Sequence, residues 1–184
     1  MTKAKNRTAR PISSRDTMHM ILKSSVAKGR FSLRHSKNLV VVRRLVERQC
    51  QKYGVKLIKY SNNSNHLHLH LKFASRALYL KFVRSLTAAI AMAVTGASKL
   101  KSVKSILGAK RFWDYRPFTR VVRSLRAYRT LQDYISLNQL EAAGAIPKRE
   151  GRLKDLTDFE RSLLHRPQPS RPTMSDISRQ LTLL

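Results

Sequence analysis

Acidic side chains are scarce in this chain. Ten aspartates and glutamates stand against 38 lysines and arginines, leaving a formal charge of +28 over 184 residues. Such a surface calls for a polyanion. Nucleic acid suits it best, because each phosphate neutralised releases counterions and adds salt-sensitive affinity. Cysteine occurs once, at Cys50, which excludes an intramolecular disulfide and a cysteine-built zinc ribbon. Cys50 falls on an apolar helix face and reads as core packing. No run approaches the ~18 apolar residues of a membrane span. The basic N-terminus MTKAKNRTARPISSRD is not followed by the apolar region of a signal peptide. GxxxxGK[ST] and HExxH are both missing, so nucleotide-driven and zincin-type hydrolysis lack their residues. What remains is a cytoplasmic, nucleic-acid-facing protein, and its hydrophobic content of 42% is sufficient for a packed core of one domain plus a tail.

Among the residues present, the stretch 65–71, NHLHLHL, says most. Side chains alternate faces along a strand, so His66, His68 and His70 share one face and Leu67, Leu69 and Leu71 the other. The leucines suit a core, and the histidines stand near enough for a pair to grip one metal ion. Around this strand the pattern predicts a first strand at 17–26 and a helix over 37–53 capped by Ser36. A strand at 55–60 then makes a hairpin through SNNSN with the histidine strand. A second helix over 75–94 presents Tyr79, Phe82, Leu86, Ile90 and Val94. A basic connection follows at 96–111, a last strand or hairpin at 112–122 broken at Pro117, and a third helix at 124–143. The order β-α-β-β-α-β followed by α is an α+β, ferredoxin-like antiparallel sheet with helices on one face. Residues 1–15 read as a basic flexible arm, 16–146 as the domain, and 147–184 as an extension, partly disordered, without an obvious core.

With the leucine face under two helices, the histidine face stays open unless the third helix crosses it. That helix carries Tyr134 and Asn138, four apart and therefore on one face. Laid across the sheet, it would bring a phenol and an amide oxygen to the histidines.

Asn65-His66-Leu67-His68 resembles the HUH motif of single-tyrosine transposases, and Tyr134 with Asn138 resembles the nucleophile helix of that family. The segment 112–138, FWDYRPFTRVVRSLRAYRTLQDYISLN, fits the region leading into it, and the REP-associated tyrosine transposases are the branch most similar. The likeness spans roughly residues 16–146. It implies that His66, His68 and Asn138 hold one divalent cation, Mg²⁺ or Mn²⁺, although two histidines also tolerate zinc. It implies that Tyr134 attacks a scissile DNA phosphate, leaving a 5′-phosphotyrosine and a free 3′-hydroxyl on single-stranded or hairpin DNA. A free phenol, with pKa near ~10, is almost wholly protonated at neutral pH, so activation has to come from the site. The sequence departs from the family after the tyrosine. Where Asn-Pro is common, Asn138-Gln139-Leu140 continues as helix.

His70 lies beyond the motif and either faces DNA or lines the end of the strand. His19 reads as structural. Tyr128 is a rival nucleophile, with poorer ligands at the matching spacing. Lys110, Arg111, Arg116, Arg120 and Arg123 precede the nucleophile helix and read as DNA contacts, with Trp113, Tyr115 and Phe118 interleaved for base stacking. Trp113 serves equally well as a core residue. A non-catalytic DNA- or RNA-binding protein on the same scaffold is the alternative. It explains the charge and leaves the histidines and Tyr134 without a task. Monomer and homodimer both stay open.

Overall fold

The structure is a computed structural model and describes residues 11–148 and 152–165. Alternation builds the sheet. Strands β1 (Thr17–Lys23), β2 (Lys56–Asn62), β3 (His66–Lys72) and β4 (Phe118–Val122) lie in the order β2-β3-β1-β4, each antiparallel to its neighbours. Met18, Met20 and Leu22 of β1 and Leu67, Leu69 and Leu71 of β3 point to one side and are 1% exposed or less. Helices α1 (Ser36–Lys52) and α2 (Arg76–Thr95) cover that side with Val42, Val46 and Cys50 and with Tyr79, Phe82, Leu86, Ile90 and Val94. Each large side chain so buried stabilises the fold by roughly 1.5–3 kcal/mol. This is the expected ferredoxin-like α+β arrangement.

Local chemistry explains the boundaries. Ser75 accepts from the Leu78 N–H at the start of α2, and Gly96, at φ 71°, ends it in the left-handed conformation that a side chain would resist. The cap of α1 is His35 rather than the expected Ser36, its ring accepting from the Lys37 N–H. The connection 96–111 holds one helical turn, α3 (Val103–Ile106). The last strand is shorter than expected: it starts after Pro117, and 112–116 form a loop. In that loop Phe112 is buried in the main core, Trp113 packs against it, and the indole N–H donates to the Thr87 carbonyl at 2.9 Å. Trp113 is therefore a core residue, not a stacking platform.

α2 also corrects the expectation of no membrane-length segment. By length and composition alone it could cross a bilayer, yet its apolar stripe is the one packed on the sheet.

The histidine face is covered by α4 (Leu125–Ala143), capped by Ser124 and docked through Leu131 and Ile135 against Val122. A small second core joins Leu137 of α4 to Ile146, Leu156 and Leu164, the last on α5 (Asp158–Leu164). Packing thus continues past the expected boundary at residue 146, and the described part of the extension clasps α4 from outside. The basic arm has an anchored end as well: Thr119 Oγ1 donates to the Pro11 carbonyl and Ile12 packs on the main core. Residues 1–10 and 166–184 lie outside the described residues.

Candidate active site

Four of the predicted site residues come together beneath α4. His66 and His68, two apart on β3, have ring centroids 4.8 Å apart. The Tyr134 ring stands almost perpendicular to that of His68, at 88° and 5.3 Å. Asn138, one turn further along α4, is 1% exposed. Its amide orientation is set by its partners. Nδ2 donates to the Tyr134 carbonyl at 2.7 Å, and Oδ1 accepts from Asn63 Nδ2 at 2.7 Å. Asn63 in turn accepts from Ser61 Oγ, and its backbone N–H donates to the His66 carbonyl at 2.9 Å. The β2–β3 turn therefore ties the Asn138 oxygen to the His66 end of the strand.

The histidines are held in defined states. Asn65 Oδ1 lies 2.7 Å from His66 Nδ1; an amide oxygen there makes Nδ1 the donor and puts the ring's lone pair on Nε2. His68, 2% exposed, faces His19 across 3.0 Å, Nδ1 to Nε2. Burial, then the neighbouring His70 and Arg120, push the His19 pKa down to about 4. His19 is thus neutral, and a single proton joins the two rings. Its ring centroid is 6.1 Å from that of Tyr134.

His70 sits apart. It is fully buried, with Nε2 on Thr17 Oγ1 at 2.8 Å and Nδ1 on the Gln132 amide of α4, while Tyr128 packs on its ring. Burial and the charge of Lys59 lower its pKa to about 4. It anchors the helix and takes no place beside His66 and His68. Nearby, the Lys59 ammonium donates to Ser136 Oγ, a further tie between β2 and α4; burial lowers its pKa.

The donor set suits a hard-to-borderline divalent cation. Among the described residues, no three histidine, cysteine, aspartate or glutamate side chains gather as a metal group. A cation held by the histidine pair would need a third donor of another kind, and the Asn138 oxygen keeps a second lone pair beside its bond to Asn63. Three neutral donors would leave the cation's full charge to act on a phosphate.

Lys110, Arg111, Arg116, Arg120 and Arg123 are all exposed. The Asp114 N–H donates to the carbonyl of Lys23, the residue paired with His66, so the loop bearing Arg111 and Arg116 lies at the His66 end of the sheet. Arg120 lies on β4, its register partner being His19. Sequence reasoning missed Asn63, because nothing in SNNSN separates one asparagine from another. It read His19 as structural without the contact to His68; the register between β1 and β3 decides that contact.

Fold and site together define an α+β protein in which a tyrosine helix lies over a histidine pair on a four-stranded antiparallel sheet. The chain belongs to the family described as "Transposase IS200 like", which matches residues 13–138. Among solved structures it is similar to a REP-associated tyrosine transposase bound to a REP hairpin. The TM-score is 0.51 at 14% identity, over 77% of this chain and 74% of that one. That likeness carries the fold. A candidate transposase from Deinococcus radiodurans R1 matches at TM-score 0.44 and 14% identity, over 76% of this chain and 98% of that one. The curated proteins give no match.

Proposed function

We propose that this transposase cuts and rejoins single-stranded DNA at hairpin-bearing ends through a 5′-phosphotyrosine on Tyr134. The observation that carries the reading is the Tyr134 ring set 5.3 Å from His68, with Asn138 one turn beyond it. In the reaction, Tyr134 Oη bonds to phosphorus as the bond to the 3′-oxygen breaks; the phenol loses its proton and the departing oxygen gains one. The energy of the phosphodiester is kept in the new link, so attack by a 3′-hydroxyl reverses the step and rejoins strands without nucleotide hydrolysis. A divalent cation held by His66, His68 and Asn138 would supply charge neutralisation at the phosphate. His19 and Asn63 keep His68 and Asn138 in orientation, as partners of ligands commonly do. Arg111, Arg116, Arg120, Arg123 and Lys110 supply phosphate contacts.

Hairpin ends are favoured because the similar solved transposase holds a REP hairpin.

The test uses hairpin DNA with single-stranded flanks, labelled 3′ of the candidate cleavage positions, and Mn²⁺. A denaturation-resistant protein–DNA adduct is expected, lost in Tyr134→Phe and kept in Tyr128→Phe. An adduct that survives Tyr134→Phe refutes the nucleophile, and tight binding without any adduct favours a non-catalytic DNA-binding protein.

A further inference from the structure

A cavity of about 560 Å³ opens beside Tyr134, between β1, β4 and the first turns of α4. Its size falls within the ~300–1,000 Å³ range of small-ligand sites. Tyr134 and His19 form one end, Ile21 and Phe118 belong to its apolar wall, and Arg120 and Arg126 add two exposed guanidinium groups. His66, His68 and Asn138 do not line it. Tyr134 therefore meets the His68 ring and also borders an apolar, basic-rimmed cavity.

We propose that this cavity receives one unpaired nucleotide, the one on the 3′ side of the scissile phosphate. The inference deepens the strand-transfer reading and rests on it for the polarity. In a displacement at phosphorus the attacking and departing oxygens lie roughly in line on opposite sides. With the phenol attacking, the strand that ends in the 3′-hydroxyl departs away from Tyr134 Oη, toward the histidine pair. The nucleotide joined through its 5′-oxygen stays bonded to the phosphate on Tyr134, and the cavity at that side chain is the space within its reach. The occupant's chemistry follows from the walls. Phe118, the first residue of the edge strand β4, is 52% exposed, an apolar ring offered to a flat partner. Arg120 and Arg126 match the phosphates flanking that base. The Ser124 and Thr130 hydroxyls, also in the lining, can meet a base edge. Sequence-tolerant stacking combined with arginine contacts is the usual means of holding a single strand. The product held this way would be the covalently retained strand, released only on rejoining.

Two measurements decide it. The first uses Tyr134→Phe protein, which cannot form the adduct, with mixed-sequence single-stranded octadeoxynucleotides carrying one 5-iodouracil. After irradiation, cross-links are expected on the peptide containing Phe118. Phe118→Ala in the same background, with its fold checked by circular dichroism, should lose them and weaken binding about tenfold, the scale of one base–aromatic stack. Cross-links only elsewhere, or affinity unchanged by Phe118→Ala, overturn the proposal. The second measurement addresses position, with an otherwise active protein and an abasic site 3′ of the cleaved phosphate. The abasic site should lower adduct yield in the parent and add nothing to the loss already present in Phe118→Ala. Independent, multiplying losses place the base elsewhere and refute the assignment. Cross-links at Phe118 without any adduct from the active protein would instead overturn the strand-transfer reading while the base cavity stands.

Discussion

His70 gives the sharpest check on how the tyrosine helix is held. It is fully buried, its two ring nitrogens are bound to Thr17 and Gln132, and its pKa is lowered from 6.5 to about 4, by burial first and then by Lys59. A histidine buried neutral is stabilising only while it stays neutral. Between pH 6.5 and about 4 the unfolded chain takes up a proton that the folded chain refuses, so stability is complete above 6.5 and is lost as pH falls. The full shift corresponds to about 3 kcal/mol at 1.36 kcal/mol per unit, of which about 2 kcal/mol is gone by pH 5. His70→Gln keeps polar ends and removes the titration. At pH 7.5 it should cost about 1–2 kcal/mol through imperfect hydrogen bonds, and the gap to the parent should shrink or reverse toward pH 5. Urea midpoints from pH 8 to 5 with a chelator present, followed by Trp113 fluorescence, measure both curves. His19 is shifted first by burial, which the substitution leaves in place, and only secondarily by His70, so the main part of the difference belongs to His70. Parallel curves would refute the account, because they would mean that His70 titrates alike in the folded and unfolded states.

Three further outcomes are expected. Asn138→Ala should weaken Mn²⁺ binding, followed by the free-ion signal in electron paramagnetic resonance, by tenfold or more; Asn63→Ala should weaken it less, by about the tenfold that marks the low end for ligand-orienting groups. Unchanged affinity in Asn138→Ala removes it from the ligand set. Leu156→Ala, at a position 8% exposed in the small core against α4, should cost about 2–3 kcal/mol and raise hydrogen exchange in α4; exchange at parental rates would show that the C-terminal segment does not hold the helix. Arg120→Ala should flatten the salt dependence of single-strand binding by about 0.7 in the log–log slope, the share of one phosphate contact, and an unchanged slope would place Arg120 outside the strand's path.

Much of this fold was legible because its signals are local. Period two in HLHLHLK and the stripe Tyr79, Phe82, Leu86, Ile90 in α2 reach into the same core in the structure. Ser75 with Gly96, and Ser124 with Gly144, bound their helices as turn chemistry requires. What was not legible depends on contacts between segments. Whether Trp113 stacks on DNA or sits in the core turns on the Thr87 carbonyl, 26 residues away. The partners that orient the candidate ligands, His19 and Asn63, come from a strand register and a turn. The packing of the extension needs Leu156 and Leu164 to meet Leu137 across a chain reversal, and each leucine alone resembles any surface leucine.

The tyrosine helix lies between these cases, and it explains why half of the site could be read early. Leu131, Tyr134, Ile135 and Asn138 fall at i, i+3, i+4 and i+7, the spacing of a single helical stripe. Leu131 and Ile135 are buried on the sheet and Asn138 beside them. The stripe that docks the helix by the hydrophobic effect therefore also carries the phenol and the amide, so one periodicity encodes both packing and chemistry. Docking and alignment cannot be varied separately. A methylene lost at Leu131 or Ile135 is expected to let Tyr134 move against His68, and in a strand-transfer reaction a misplacement of about 1 Å would cost on the order of 10²-fold in rate. If Tyr134 is the nucleophile proposed above, its place on the core stripe makes the fit of that core a condition of the reaction.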